Sequence, residues 1–415
     1  MNKSLRVVFV VIAALVLLGG GYAAGRFVPL PGDSGPNPGL PTTPPVTGLP
    51  DSSSPGAGTP ADLETTFAPF WEAWDVTHQA YFQQPVDDVA LMNGAIRGIL
   101  DALPDDYSSY FDAVETNDFE IHLTGEYDGI GAYVDVDGEL LTIIQPLPGS
   151  PAEAAGLLPG DEIIAVDGED VLGIEPALVR LRVLGEAGTS LVLTILRDGT
   201  DEPFDVTVTR AHIVVPSVEG KMLENGIAYI NISVFGDTTG SEFHTILADL
   251  LAQNPTGIIL DLRNNPGGYT TSATQLASEF IDGGIIWVEE FGDGTRSEIK
   301  ALSGGLATTN DIPLMVLVNK WSASASELVS GAIQDYGRGT LVGEVTYGKG
   351  SVQTQVPISN GGTVHVTIAR WLTPSGRSIH ELGLTPDLAV ELTVDDYKTG
   401  RDPQLEAAVN SLLNP

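Results

Sequence analysis

The 415-residue sequence predicts a multidomain α/β protein, and three regions of pattern carry that prediction. From about Ile213 onward, short apolar runs alternate with segments of helical period. Between about 116 and 211 short strands predominate, and before them apolar residues recur at helical spacing. A hydrophobic content of 42% suits a folded chain with room for two or three cores.

Taken in chain order, residues 1–30 place Lys3 and Arg6 before "VVFVVIAALVLLGGGYAAG", a charge-free run of the length a bilayer core demands, closed by Arg26. The expectation is a single-pass anchor in the cell membrane, N-terminus in the cytoplasm and the remaining chain outside it. The alternative is a cleaved signal segment and a secreted protein, since "GYAAG" offers small residues for cutting. Residues 31–60 are half proline and glycine with no apolar period, and they read as a tether.

In the 61–115 region Phe67, Phe70, Trp71 and Trp74, then Leu91, Ala95 and Ile99, predict two or three helices. Residues 116–211 hold strands such as "LLTIIQPL" and "LVLTILRD" around a helix-like "SPAEAAGL" and the turn "PGDEIIAVDG", a small β-rich domain. Residues 212–395 alternate "GIAYINIS", "SEFHTILADLLAQ", "TGIILDLR" and "PLMVLVNK". Phe243, Ile246, Leu247, Leu250 and Leu251 share one face of the first helix, and nearly continuous apolar strands suit a sheet covered on both sides. Residues 396–415 are assigned to a C-terminal tail.

A formal charge of −36 sets the chain against nucleic acid as a partner. With no cysteine, disulfides, thiol catalysis and Cys-based zinc sites are excluded, and neither a metal nor a cofactor is expected.

The stretch "LVNKWSASASELVSGAIQDYG" puts Ser322, Ser324 and Ser326 at a strand-to-helix turn. Ser324 followed by Glu327 fits a capping box, a purely structural role. A helix start also offers free N–H groups to an oxyanion, so a nucleophile gains most at the same address. None of the six histidines lies in a persuasive setting for the base, and no G-x-S-x-G elbow occurs. Lysine remains. Lys349 stands between glycines in "TYGKGSVQTQV", and burial can bring an amine from about 10.4 toward neutrality. Gln353 falls on the same strand face if the strand begins at Lys349, where it would orient the amine. Alone, this lysine also reads as a solvent-exposed turn residue. "GEVTYGK" imitates a phosphate-binding loop, but Gly350 replaces the Ser or Thr and a strand follows, so nucleotide binding is rejected.

The run "VNKWSASASELVSGAIQDYGRGTLVGEVTYGKGSVQ" resembles the signature of the carboxyl-terminal processing peptidases, or tail-specific proteases. The likeness extends to "IILDLRNNPGG", to "GAIRGILDALPDDYSSYF" and to "IGAYVDVDGELLTIIQPLPGSPAEAAGLLPGDEIIAVDG", which resembles that family's PDZ domain. It covers nearly everything from Ala61 to about Val390. The resemblance implies a crotonase-like α/β protease core with an inserted PDZ domain, and a serine endopeptidase with nucleophile Ser324, base Lys349 and supporting Gln353. The oxyanion donors are then expected at Ala325 and at Gly267 or Gly268, because a nucleophile's own helix start and a glycine loop supply backbone amides. In "YDGIGAYV", Gly129, Ile130, Gly131 and Ala132 would cradle a peptide's terminal carboxylate, and Arg182 would couple that domain to the active site. The implied partners are proteins or peptides with accessible C-termini, and a homo-oligomer is left open. Two alternatives stay in view: a non-catalytic PDZ-bearing adaptor, and a crotonase-like acyl-transfer enzyme, which would need a basic cluster for coenzyme A.

Overall fold

The helical and strand periods of the sequence become defined elements in a computed structural model that describes residues 62–200, 202–309 and 311–414. The expected anchor at 1–30 and tether at 31–60 lie outside the described residues. Among the described residues no helix is long and apolar enough to cross a membrane. Two compact units partition them, one running from Val114 to Thr354 and again from Thr367, the other holding the chain up to Ala113 with Gln355–Val366.

The smaller unit contains α1 (Glu64–Ala80), α2 (Asp88–Asp101) and β1 (Ser109–Phe111). Asp87 starts α2 by accepting the Val89 and Ala90 N–H groups, which have no acceptor within the helix. The apolar period of this region does not translate into a core. Helix α1 buries no residue, Phe67, Phe70 and Trp71 are exposed, and in α2 only Leu100 is buried while the predicted Ile99 is exposed. The aromatic rings of α1 pack instead on one another along the helix, Phe70 and Trp71 edge to face with centroids 5.0 Å apart.

In the larger unit, α3 (Ala113–Thr124) leads into β2 (Glu126–Gly129), β3 (Ala132–Asp135), β4 (Leu141–Pro146), α4 (Pro151–Ala154), β5 (Glu162–Val166), β6 (Glu169–Asp170), α5 (Pro176–Val183), β7 (Ser190–Leu196), β8 (Phe204–Thr209) and β9 (Ala211–Val214). Strands β3, β4, β5, β7 and β8 form one antiparallel sheet in that order, with β6 on β5. Alternation along β7 turns Leu191, Leu193 and Ile195 inward onto Leu141, Ile143 and Ile163, and α5 adds Val179 and Val183. The β2–β9 ribbon, in which Gly129 pairs Ala211, brings the two ends of this domain together.

The α/β core comes next: β10 (Val218–Met222), β11 (Ile227–Ile232), α6 (Thr239–Leu251), β12 (Gly257–Asp261), α7 (Thr270–Ser278), β13 (Ile285–Phe291), β14 (Arg296–Lys300), β15 (Leu314–Val318), α8 (Ala325–Asp335), β16 (Thr340–Gly343), β17 (Ser351–Pro357), β18 (Thr363–Leu372), β19 (Leu388–Ala389), α9 (Val394–Thr399) and α10 (Pro403–Leu413). Its main sheet runs β10-β11-β12-β15-β16-β19 and is parallel after β10. Register aligns Ile230, Leu260, Val316 and Leu341 in one fully buried row.

Both faces of that sheet are covered, as the unbroken apolar strands require. Helices α6, α7 and α8 lay Phe243, Leu247, Leu276, Leu328 and Ile333 on one face. On the other, Ala408 and Leu412 of α10 pack against Ile227, Ile259, Leu317 and Val342. The segment expected as a tail therefore ends in a helix built into the core. The segment 343–349 runs from β16 through a loop into β17, so the strand predicted after the phosphate-loop mimic is present.

Candidate active site

Strand β15 is hydrophobic and buried, and it delivers the chain to a turn at Asn319 whose side chain organises the approach to α8. Asn319 Oδ1 accepts the Trp321 and Asn264 N–H groups, and the Ser322 hydroxyl accepts Asn319 N–H while donating to the Leu262 carbonyl. Ser326 Oγ donates to the Asn265 carbonyl at 3.0 Å. Ser322 and Ser326, on either side of Ser324, are thus committed to holding the turn against the 262–265 segment.

Ser324 is different. It sits at the N-cap of α8 with φ 52° and ψ −114°, backbone space an L-residue rarely enters. Such strain persists only where surrounding contacts over-determine it. One of those contacts is Glu327, whose Oε2 accepts the Ser324 N–H at 2.9 Å, the half of the capping box that Glu supplies. The same Oε2 accepts the Lys349 N–H at 2.9 Å, so the Ser324 and Lys349 amides lie at most twice that distance apart. Oε1 takes the Thr346 hydroxyl at 2.5 Å and the Gly348 N–H at 2.7 Å. A single fully buried carboxyl therefore joins the serine turn to a loop more than twenty residues downstream. Burial pushes this carboxyl up to about 7, against the pull of the four donors.

The Lys349 side chain is fully buried, not exposed on a turn. Trp371 Nε1 donates to its carbonyl at 2.9 Å and fixes the loop from the β18 side. Strand β17 begins at Ser351 rather than at Lys349, so the period-two argument joins Gln353 to Ser351. Gln353 Nε2 donates to Ser351 Oγ at 2.9 Å and to Thr367 Oγ1 at 3.0 Å, and its buried Oε1 receives no hydrogen bond among the described residues.

The "NNPGG" loop lies directly on the serine. A β-carbon built on Gly267 would fall 2.8 Å from Ser324 Cβ and 3.0 Å from the Ala325 nitrogen, and one on Gly268 would fall 2.2 Å from the Phe235 carbonyl oxygen. Positive φ values of 107° and 136° add to the reason these positions are glycine. The Gly267 N–H donates to Asn265 Oδ1 at 2.9 Å, while no such bond engages the Gly268 N–H among the described residues. Ala325 opens α8 and has no acceptor within the helix for its N–H.

Histidines are occupied elsewhere: His244 with Glu279 at 2.6 Å, His212 with Asp128 at 2.9 Å, His78 with Asp88 at 2.6 Å, and His365 stacked on Phe111. His380 packs on Gly350, the residue after the lysine. Asp335 closes the far end of α8 in an ion pair with Arg377.

In the β-rich domain, Gly129, Ile130, Gly131 and Ala132 form the turn from β2 into β3. The Ile130 and Gly131 carbonyls accept Ala152 and Leu147 N–H, leaving the turn pinned from behind. Gly131 has φ 75° and touches Ser150 closely enough to exclude a side chain. A cavity of about 420 Å³ opens between β3 and α5, with Ala132 and Tyr133 on one wall, Arg180 and Val183 on the other, and His122 and Val234 closing it. Burial holds His122 below the usual histidine range. The arginine that faces this cavity is Arg180, which pairs with Asp118 of α3. Arg182, the residue expected to couple the domains, instead makes a solvent-side pair with Glu169.

The serine, the lysine and the glutamine singled out in the sequence are all buried. Sequence reasoning took Glu327 for a cap alone, and it passed over Asn265 and Thr346. The i+3 spacing from Ser324 was the one signal for Glu327.

Comparison with known proteins places the chain's regions in known families. Residues 226–390 match the model of Peptidase family S41, residues 142–197 a PDZ domain, and residues 51–116 the N-terminal domain of the activating protease CtpB. The carboxy-terminal processing protease CtpA of Bacillus subtilis (strain 168) is 36% identical over 87% of this chain and 76% of its own length. The carboxy-terminal-processing protease of Bartonella bacilliformis is 36% identical over 81% of this chain and 78% of its own. Among solved structures, the photosystem II D1 C-terminal processing protease is 28% identical, with a TM-score of 0.46 over 78% of this chain and 92% of that one.

Proposed function

The chain belongs to the carboxy-terminal processing proteases of peptidase family S41, and from that premise we propose that it is a serine endopeptidase using a Ser324–Lys349 dyad on substrates docked by their C-termini. The observation that carries the dyad is the Glu327 carboxyl, one oxygen of which binds the amides of both residues. Full burial disfavours an ammonium, so the Lys349 amine is suited to take a proton.

In this reading Ser324 Oγ attacks the scissile carbonyl as Lys349 Nζ takes its proton. The Ala325 and Gly268 N–H groups receive the oxyanion, the Gly268 amide being the one its own loop leaves unengaged. The lysine then protonates the departing amine, and a water activated by the same amine releases the acyl group. Gln353 Oε1, left without a donor among the described residues while Nε2 is engaged, is the acceptor that would orient the amine once it turns toward it. The carboxylate of the substrate's last residue sits at the Gly129–Ala132 turn and its side chain in the apolar cavity beside it. Residues 1–30 would place this activity outside the cytoplasm at the cell membrane.

The test is hydrolysis of an unstructured peptide by folded variants. Ser324→Ala and Lys349→Arg should both be inactive, since arginine does not deprotonate in the working range. For the parent, kcat/KM should rise with pH through one ionisation, and His244→Ala, His365→Ala or His380→Ala should each keep that rising limb. Activity in the arginine variant, or a histidine change that removes both activity and limb, would show that histidine is the base.

A further inference from the structure

The C-terminal helix does more than cover the sheet. Its N-cap residue Asp402 accepts the Leu405 N–H at 3.0 Å and, with both carboxylate oxygens, the Arg263 guanidinium at 2.8 Å each. Gln404, fully buried, adds a third acceptor at 3.1 Å and anchors itself on the Val390 carbonyl. From the sheet side Asp261 grips the same guanidinium at 2.6 Å and is itself held by the Tyr229 hydroxyl at 2.7 Å. Burial alone would lower this arginine, but its two aspartates outweigh burial and hold it above its usual range.

Arg263 is the last residue before the loop that touches Ser324. Asn264 comes after it with φ 59°, an uncommon conformation locked by its exchange of hydrogen bonds with Asn319. Asn265 then donates from Nδ2 to the Ile232 carbonyl and accepts the Gly267 N–H at Oδ1 and the Ser326 hydroxyl at its own carbonyl. A displacement at Arg263 therefore passes through two tightly bonded residues to the Gly267–Gly268 backbone.

We propose that Asp402 is a positioning residue for catalysis: by clamping Arg263 it holds the glycine loop where its amide can receive the oxyanion, a role confined to the cap of the C-terminal helix. This rests on the assignment of Ser324 and the glycine loop made above. The test separates the two. Ser324→Ala losing all activity establishes the assignment, and retention of activity there would overturn the assignment itself.

Once Ser324 is established, Asp402→Ser keeps a helix-capping oxygen but cannot span to the guanidinium, while Asp402→Asn keeps the cap and one acceptor. Leu412→Ala serves as the control for loosened packing of α10. For folded Asp402→Ser, kcat should fall about tenfold to a hundredfold with KM within about twofold, the size expected for a misplaced oxyanion donor. Acylation of Ser324 by a fluorophosphonate probe should slow in parallel, Asp402→Asn should lie between, and Leu412→Ala should lower the melting temperature without changing kcat per folded molecule. Wild-type kcat in Asp402→Ser overturns the proposal. So does a loss that merely tracks the folded fraction as in Leu412→Ala. If the serine variant does not fold, the same comparison with Asp402→Asn decides.

Discussion

Ser324 shows how one residue's backbone can carry its role. With φ 52° and ψ −114° it occupies space that favours glycine, and relief of such strain is worth on the order of 1 kcal/mol or more. Ser324→Gly should therefore melt higher than Ser324→Ala, both without peptidase activity, as thermal unfolding of the two variants would check. Ser326 gives the contrast. Its hydroxyl does one job, donating to the Asn265 carbonyl, so Ser326→Ala should cost about 1 kcal/mol of stability and keep partial activity. An inactive Ser326→Ala beside an active Ser324→Ala would reverse the assignment.

At the scale of elements, Glu327 decides how α8 meets the loop before β17. Its carboxyl is raised from 4.5 to about 7 by burial. A carboxyl whose folded value exceeds its unfolded one gives its full stabilisation below the unfolded value and loses it as pH rises through the folded one. The parent should thus lose up to about 3 kcal/mol between pH 4.5 and pH 7 from this group, a slope that Glu327→Gln should lack in denaturant titrations across that range. The same variant should also lose most of its kcat, because an amide cannot accept the four donors that Glu327 does. Parallel slopes for parent and variant would remove the carboxyl as their source. This element also marks where sequence reading stops. Ser324 and Lys349 could be singled out as candidates because their local settings, a strand-to-helix turn and a glycine-flanked lysine before a strand, are written in adjacent letters. The buried parallel strands were legible because covering both faces demands unbroken apolar runs, as at Ile258–Leu260 and Val316–Val318. Glu327 was not, since its burial depends on Thr346 and Gly348 closing over it. Phe67 and Trp71 gave their helix but not its burial, because a helical period shows that a stripe exists and not that anything covers it. Asp402 was unreadable because its partner Arg263 lies 139 positions away.

Across the whole molecule, two properties of the chain act on a substrate at different ranges. The formal charge of −36 repels an acidic tail over a distance that salt shortens, to about 10 Å at 0.1 M. On the docking reading proposed above, the Gly129–Ala132 turn acts only at contact, its backbone amides taking up a terminal carboxylate and the neighbouring cavity, lined by Ala132, Tyr133 and Val183, taking an apolar side chain. Peptides that differ only at the C-terminus therefore separate the two. Amidating a peptide that ends in an apolar residue removes the contact and, with the carboxylate's charge, one unit of the long-range repulsion. Each charge-assisted hydrogen bond so lost is worth about 1.5–3 kcal/mol, so KM should rise about tenfold or more at high salt, and by less at low salt, where the lost repulsion offsets part of the lost contact. Replacing the last residue with Asp adds a second negative charge and an ill-fitting side chain, and part of that penalty should shrink as ionic strength rises. Free and amidated peptides cleaved with the same KM would remove the turn from substrate docking, and an Asp penalty unchanged by salt would leave the cavity, rather than the charge of the chain, as its cause.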